Sequence, residues 1–411
     1  MKKITLLVSS TILVTNLFGQ LATDTDVEGK TGSRYIQTAV PFMTIAPDAR
    51  AASLADAGVA TSADANSMHW NAAKLTEIKD ADGQEADFGL GLTHTPWLAK
   101  LINDMSLNYL TGYKRISKTE VIGASLNYFN LGEMTFRNGP GAEGITGTKK
   151  PYELTFGVAY ARKLSTPLSI SLGLKLIHSN LASGITLSNN DVAKAGNSVA
   201  ADLGVYYNKD ITVVGEKLNL ALGSSISNLG NKLTYTTREQ AYFIPTNFRL
   251  GTAITKEIDL YNKITLIVDF NKLMVPTPAV YSDSLDKNNN PVLIDGKEAK
   301  DKGLISGVLG SFADAPGGFK EEMQEFTTSI AVEYWYTGAF SARAGYFNES
   351  EVKGNRKFFT LGAGVRYQQF GFDFAYLIPI KQNNPLADTI RISLLMNLKS
   401  KNSKEAPSVS E

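Results

Sequence analysis

Long runs of period-two alternation constrain this chain more than any other feature. Residues 152–160 place Tyr152, Leu154, Phe156, Val158 and Tyr160 on one face and Glu153, Thr155, Gly157 and Ala159 on the other. Residues 168–176 set Leu168, Ile170, Leu172, Leu174 and Leu176 against Ser169, Ser171, Gly173 and Lys175. The last run sets Ile390, Ile392, Leu394, Met396 and Leu398 against Arg391, Ser393, Leu395 and Asn397. Successive side chains of a strand point to opposite faces, so each run reads as a strand with one apolar and one polar face. Fourteen such segments run near 86–94, 104–115, 119–131, 151–163, 167–180, 197–209, 217–229, 244–256, 262–271, 326–337, 339–348, 357–368, 370–379 and 388–398. Most reach about ten residues, the length a tilted strand needs to cross a bilayer; ordinary soluble strands run nearer five or six.

The connections sharpen that reading. Tight ones at 116–118, 164–166, 337–338 and 369, and modest ones at 210–216 and 257–261, alternate with longer ones. The longest are 132–150, 181–196, 230–243 and 272–325. Short turns on one side and long loops on the other are how outer-membrane barrels are built. Ten charges fall well inside the segments: Glu153, Lys175, Asp202, Arg249, Asp269, Glu333, Arg343, Arg366, Asp373 and Arg391. All ten take the polar phase, whereas Arg162 and Lys256 take the apolar phase only at segment ends. An Arg or Lys facing lipid at mid-membrane costs about 2–4 kcal/mol, so the polar phase is expected to face a lumen. A soluble β-sandwich also alternates, but it does not need strands this long. The expected fold is all-β: a 14-stranded antiparallel transmembrane outer-membrane barrel with an N-terminal lumen plug, the barrel spanning 86–398.

The five carboxylates and five cations of the polar phase suggest ion pairing inside the barrel with an inserted segment. Opposed charges that merely line a water channel are the alternative. Tyr109, Tyr113, Tyr206, Tyr207, Tyr334, Trp335, Tyr336, Tyr346 and Phe347 cluster toward segment ends and are expected as interfacial aromatic girdles. Ahead of the strands, Lys2 and Lys3 precede an uncharged apolar stretch, Ile4 to Phe18, with small or polar residues around Gly19–Ala22. That layout predicts a cleaved signal peptide over 1–19, and export to the bacterial outer membrane follows. There is no cysteine, which excludes disulfides, thiolate metal sites and a lipoprotein anchor. His69, His94 and His178 lack paired-ligand spacing, so no metal or other cofactor is expected. A formal net charge of +1 gives no reason to expect nucleic acid as a partner.

Residues 20–85 do not alternate, and 399–411 reads as a periplasmic tail. Within 20–85, an Ala-rich stretch over 51–60 suits a short helix packed against barrel walls, and Asp64, Asn66 and Asn71 are turn and cap formers. Pro47, Asp48, Arg50, Asp64, Asn66, Trp70 and Asn71 are the plug candidates; an unpacked periplasmic segment is the alternative.

The run AVPFMTIAPDARAASLADAGVATSADANSMHWNAAKL at 39–75 resembles the N-terminal signature of the PorV family, outer-membrane shuttle proteins of the Bacteroidetes type IX secretion system. THTPWL at 93–98 and MSLNYLTGYKR at 105–115 resemble that family's first hairpin. Where the family has Asn-Pro-Ala after the tryptophan, Ala72 stands after Asn71, and the turn a proline would set is left to other residues. The resemblance implies a fourteen-stranded barrel of the fatty-acid-transporter-like class, seated in outer-membrane lipid. It implies partners too: secreted cargo bound through C-terminal signal domains, the translocon, and a surface attachment complex with a sortase-like transpeptidase. Loop 272–325 is the expected docking element. It combines charges with an apolar, glycine-rich stretch in which Leu304, Ile305, Val308, Leu309, Phe312 and Phe319 are the candidate contacts. A transporter of small hydrophobic molecules is the alternative function. No nucleophile–base motif is present, and no enzymatic role is expected. Asp286, Asn288 and Asn290 open like a calcium loop, but Pro291 and Lys297 stand where glycine and an acidic residue are required.

Overall fold

A computed structural model describes residues 34–80, 83–98, 104–137, 145–186, 192–236, 241–285, 291–296, 299–380 and 389–398. The expected signal peptide, the C-terminal tail and the calcium-loop positions Asp286, Asn288, Asn290 and Lys297 lie outside the described residues.

Fourteen strands close into one antiparallel ring. In chain order they are β1 (Phe88–Pro96), β2 (Ser106–Arg115), β3 (Glu120–Asn130), β6 (Tyr152–Ser165), β7 (Leu168–Asn180), β8 (Gly196–Val213), β9 (Glu216–Gly230), β10 (Asn247–Glu257), β11 (Asn262–Leu273), β14 (Phe326–Tyr336), β15 (Phe340–Asn348), β16 (Lys357–Tyr367), β17 (Phe370–Pro379) and β18 (Ile390–Leu398). Each neighbours the next, and β1 pairs with β18 to close the ring. Closure leaves no sheet edge, which hydrocarbon requires because it offers backbone groups no partner. Two hairpins stand outside the wall, β4 (Met134–Arg137) with β5 (Ile145–Lys149), and β12 (Val280–Leu285) with β13 (Pro291–Asp295). They give regular structure to the connections 132–150 and 272–325, which the alternation left as loops.

Every wall strand falls within four residues of its predicted segment. The largest difference is at 210–216. There the strands continue to Val213 and Glu216, and the turn shrinks to Val214 and Gly215, with φ of 50° and 82°. Positive φ at both central residues is what a two-residue hairpin turn of the type I′ class demands. The polar look of the segment hid a strand end.

The two faces of the wall are inverted relative to a soluble protein. On β7, Ser169, Ser171 and Ser179 are buried, whereas Leu172, Leu174 and Leu176 are 53%, 56% and 59% exposed. An apolar band turned outward and a polar band turned inward suit hydrocarbon outside. The girdle expectation fails for part of its set. Tyr109, Tyr113, Tyr206, Trp335 and Phe347 are buried on the inner face, and only Tyr334 and Tyr336 of the remaining four are well exposed. Their phase decides this: odd positions on β2 and β15 and even positions on β8 share the inward side with Thr111, Arg343 and Gly204.

Residues 34–80 run inside the ring through short helical pieces: a 3-10 turn at Pro41–Thr44, α1 (Ala49–Ser53), α2 (Ser67–Trp70) and a 3-10 stretch at Ala72–Glu77. None of these is long enough to persist alone, so the wall must satisfy their backbone groups. It does so from around the ring. Ser393 of β18 accepts from Ala49 N–H, Thr360 of β16 from Ala55 N–H, and Asp269 of β11 from both Gly58 and Val59 N–H. Thr111, Ser225 and Ser329 donate to the carbonyls of Ala65, Trp70 and Ala55. At Gly345 a Cβ would lie 2.7 Å from the Ala55 nitrogen, so a larger residue there would push the segment off the wall. The segment and the inward strand residues together form the core.

Candidate functional site

Two regions carry concentrated chemistry: the filled interior and the rim formed by the long connections.

In the interior, Asp48 caps α1 by accepting from Ala51 N–H at 2.9 Å, and its other oxygen accepts from Trp70 Nε1 at 2.7 Å. Pro47 is buried directly before it. Arg50 projects from α1 and donates to both carboxylate oxygens of Glu333, at 2.9 and 2.8 Å, and to Asp64 at 3.0 Å. A guanidinium is planar and five-fold donating, which lets one side chain hold a wall strand and a segment turn together. From Glu333 the network continues along the wall: Arg343 to Glu333 at 2.7 Å, Arg343 to Asp373 at 2.7 Å, and Arg366 to Asp373 at 2.8 Å. Asn71 caps the second 3-10 stretch through Ala73 N–H and donates to the Val205 carbonyl of β8. Its side chain thus fixes the start of that stretch and ties it to the wall. Asn66 is buried at the start of α2, beside Gly91.

The ten wall charges divide. Lys175 and Asp202 pair at 2.7 Å, and with Glu333, Arg343, Arg366 and Asp373 they make six in ion pairs. The remaining four meet neutral groups. Glu153 accepts from Ser179 Oγ, Asp269 accepts from two backbone N–H groups, Arg249 donates to Ser227 and lies 5.2 Å from the Trp70 ring, and Arg391 lies 5.9 Å from the Trp97 ring. Of the six, Glu333 pairs with the inserted segment, through Arg50, and the other pairs run between wall residues.

The alternation did not point to Lys74. It is buried, donates to the Gly58 carbonyl at 2.6 Å and to Thr61 at 2.9 Å, and burial brings it down to about 8. Burial, with Asp64 nearby, likewise pushes the Asp48 carboxyl up to about 6. The three histidines stay apart. His69 packs edge-on against Trp70 in the interior, and His94 and His178 each bond an asparagine of the next strand, at 2.8 Å, on the outer phase.

At the rim, loop 272–325 carries α3 (Leu304–Gly310) and α4 (Phe319–Gln324). Three carboxylates at α4 are clamped by cations from elsewhere in the chain. Lys272 of β11 reaches Glu325 and, at 3.2 Å, Glu322. Lys353 reaches Glu321 at 2.6 Å and Glu325 at 2.8 Å, and Arg34 reaches Glu321 at 2.7 Å. Burial favours the neutral form of Glu325, but hydrogen bonds from Lys272, Lys353 and Thr277 outweigh it and hold the carboxyl below its ordinary value.

The docking candidates sort by helical phase. Ile305 and Leu309 lie one turn apart on the outer face of α3, 59% and 65% exposed, and Phe319 is 80% exposed. Leu304 and Val308 share the neighbouring face, turned toward the protein, and Val308 is buried against Ile36, Phe243, Met274 and Val275. Those two belong to the fold, a correction to the expected contact set. Phe312 is partly covered, edge-on to Phe248 and beneath the Lys272 ammonium.

The family described as type IX secretion system protein PorV matches residues 28–280. No curated protein matches the chain. Among solved structures, the Pseudomonas putida toluene transporter TodX has 10% identity, covering 87% of this chain and 99% of its own, with a TM-score of 0.47. A Pseudomonas aeruginosa FadL homologue has 13% identity, covering 89% of this chain and 99% of its own, with a TM-score of 0.43.

Proposed function

The chain belongs to the PorV family and is an outer-membrane component of type IX secretion, and on that premise we propose that it captures secreted cargo by the cargo's C-terminal signal domain. In this reading it takes cargo from the translocon to the surface attachment complex and its sortase-like transpeptidase. The observation that carries the reading is the mounting of loop 272–325. Phe319 is held out on α4, whose carboxylates are clamped by buried Lys272 and Lys353, and Ile305 and Leu309 are held out on α3, which Val308 seats against Ile36, Phe243, Met274 and Val275. Apolar side chains on an anchored, protruding support are what a recognition surface needs, because little ordering entropy remains to be lost on binding. The reading assigns the chain no catalytic step and no cofactor.

Residues 34–80 act here as the plug. Their burial and their bonds around the wall favour a protein whose work is done at its rim. Passage of small hydrophobic molecules is the competing function, and it requires a continuous path past this segment.

The test replaces Ile305, Leu309 and Phe319 together by serine. Capture of a cargo C-terminal domain from detergent-solubilised membranes should fall at least roughly tenfold, as expected when anchors of about 1.4 kcal/mol or more in total are lost. The barrel should stay heat-modifiable on a gel. Undiminished capture removes the loop from the mechanism, and uptake of a small hydrophobic probe into liposomes bearing the protein would favour the competing function.

A further inference from the structure

One cavity opens on the outer wall, not in the lumen. It measures about 720 Å³, within the range of pockets that hold small-molecule ligands. Its floor is one row of direct cross-strand partners: Leu250 of β10 faces Phe270 of β11, which faces Thr328 of β14, which faces Asn348 of β15, which faces Lys357 of β16. All five take the outward phase of their strands. The row is graded, apolar at Leu250 and Phe270, hydroxyl and amide in the middle, cationic at Lys357. At neighbouring-strand spacing it spans roughly 19 Å, four gaps of about 4.8 Å.

What separates this stretch from the rest of the wall is its roof. Met323 and Gln324 of α4 overhang the row, and residues 349–352 close its polar end. The overhang is fixed, because Glu321, Glu322 and Glu325 on and after α4 are clamped by Lys272 and Lys353. Below the roof the floor runs without a break into the exposed apolar band, through Leu266 on β11 and Ile330 and Val332 on β14. The crevice therefore opens onto the outward apolar band of the wall.

We propose that this crevice holds one long acyl chain of an amphiphile from the adjoining leaflet. The chain lies along Leu250 and Phe270 beneath Met323, with its polar group at Asn348 and Lys357. Continuity with the lipid-facing band decides for a lipid over a polypeptide. A crevice whose floor is a membrane-facing surface is reached from the membrane, and burying its aromatic floor against a chain removes apolar surface from water at the interface. The gradient along the row sets the orientation, because the reverse placement would lay hydrocarbon on a lysine already bonded to Glu351 at 3.1 Å.

The full-length protein in phosphatidylethanolamine nanodiscs tests this, using a phosphatidylethanolamine with a photoreactive acyl chain and, separately, a photoreactive free fatty acid. Labelled peptides are mapped by mass spectrometry. Label should concentrate on peptides bearing Phe248, Phe270 and Met323, several-fold above those bearing Leu172 and Leu174 on β7. Label from the phospholipid assigns the chain to a membrane lipid, and label from the acid alone assigns it to a free fatty acid. Met323→Trp, at an exposed loop position, narrows the roof and should remove the enrichment while β7 labelling is kept. Equal labelling of both walls, enrichment that survives Met323→Trp, or a copurifying polypeptide that covers the crevice and excludes both probes overturns the proposal.

Discussion

Among the described residues, two networks of buried charge work differently. The interior one links Arg50, Glu333, Arg343, Asp373 and Arg366 across the inner wall, and each central group is shared by two partners. It joins a turn of the N-terminal segment to strands almost three hundred residues later. The rim network links Arg34, Lys272 and Lys353 to Glu321, Glu322 and Glu325. It holds a helix too short to stand alone over the edge of the wall. The interior network runs through buried Glu333, Arg343 and Asp373 to half-buried Arg366. The rim network ends in exposed apolar side chains and a roofed crevice. Similar ion pairs thus serve closure in one place and presentation in the other, and the difference is whether any binding surface is left outside them.

The comparison can be broken most directly at its most shared member. Glu333→Ala leaves Arg50 and Arg343 buried with less compensating charge, and a buried ion stripped of its partner costs about 3–5 kcal/mol. Thermal unfolding in detergent should show a clearly lowered midpoint and earlier protease cleavage within 34–80; an unchanged midpoint would mean that the segment is held by packing alone. At the rim, Lys353→Met removes two charge-assisted bonds yet leaves Glu321 to Arg34 and Glu325 to Lys272. The expected loss is about 1.5–3 kcal/mol, confined to α4. Hydrogen exchange should rise over 315–325 with the barrel unfolding midpoint unmoved, and faster exchange together with a lowered midpoint would make the two networks one.

A comparable but steric effect is expected at Gly223, where a Cβ would run into the Val59 carbonyl. Gly223→Ala should cost about 1–3 kcal/mol by overpacking and loosen the segment while every ion pair stays intact. Smallest is the response to acid. Glu325 is held below its ordinary value of 4.5, so its contribution is complete above that pH and declines as the pH falls through the folded-state value. Exchange protection of α4, corrected for intrinsic rates, should be flat from neutrality to about pH 5 and fall below it. Protection that rises with acid contradicts the assignment.

The two networks also differ in how visible they were. Glu333, Arg343 and Asp373 stood out because a charge inside an otherwise regular strand has only one tolerable side. Arg50 stood out within a distinctive run, but its partner could not be named, because nothing in either segment encodes which strand comes to lie beside which turn. Lys272 was assigned to a loop, since β11 continues two residues beyond its alternating stretch. Lys353 and Glu321 sit in connections with no period at all, and Val308 was grouped with the exposed residues because an apolar run does not declare its phase until the helix is seen.

Alternation determined the number of wall strands and the inward side of the ten wall charges, because a strand's two-residue period is a local property and hydrocarbon penalises any error in it. The tertiary structure decided which charges meet, that α4 roofs the outer wall, and which half of α3 points away from the protein. Those outcomes depend on closure of the ring, which brings together side chains that no local pattern relates.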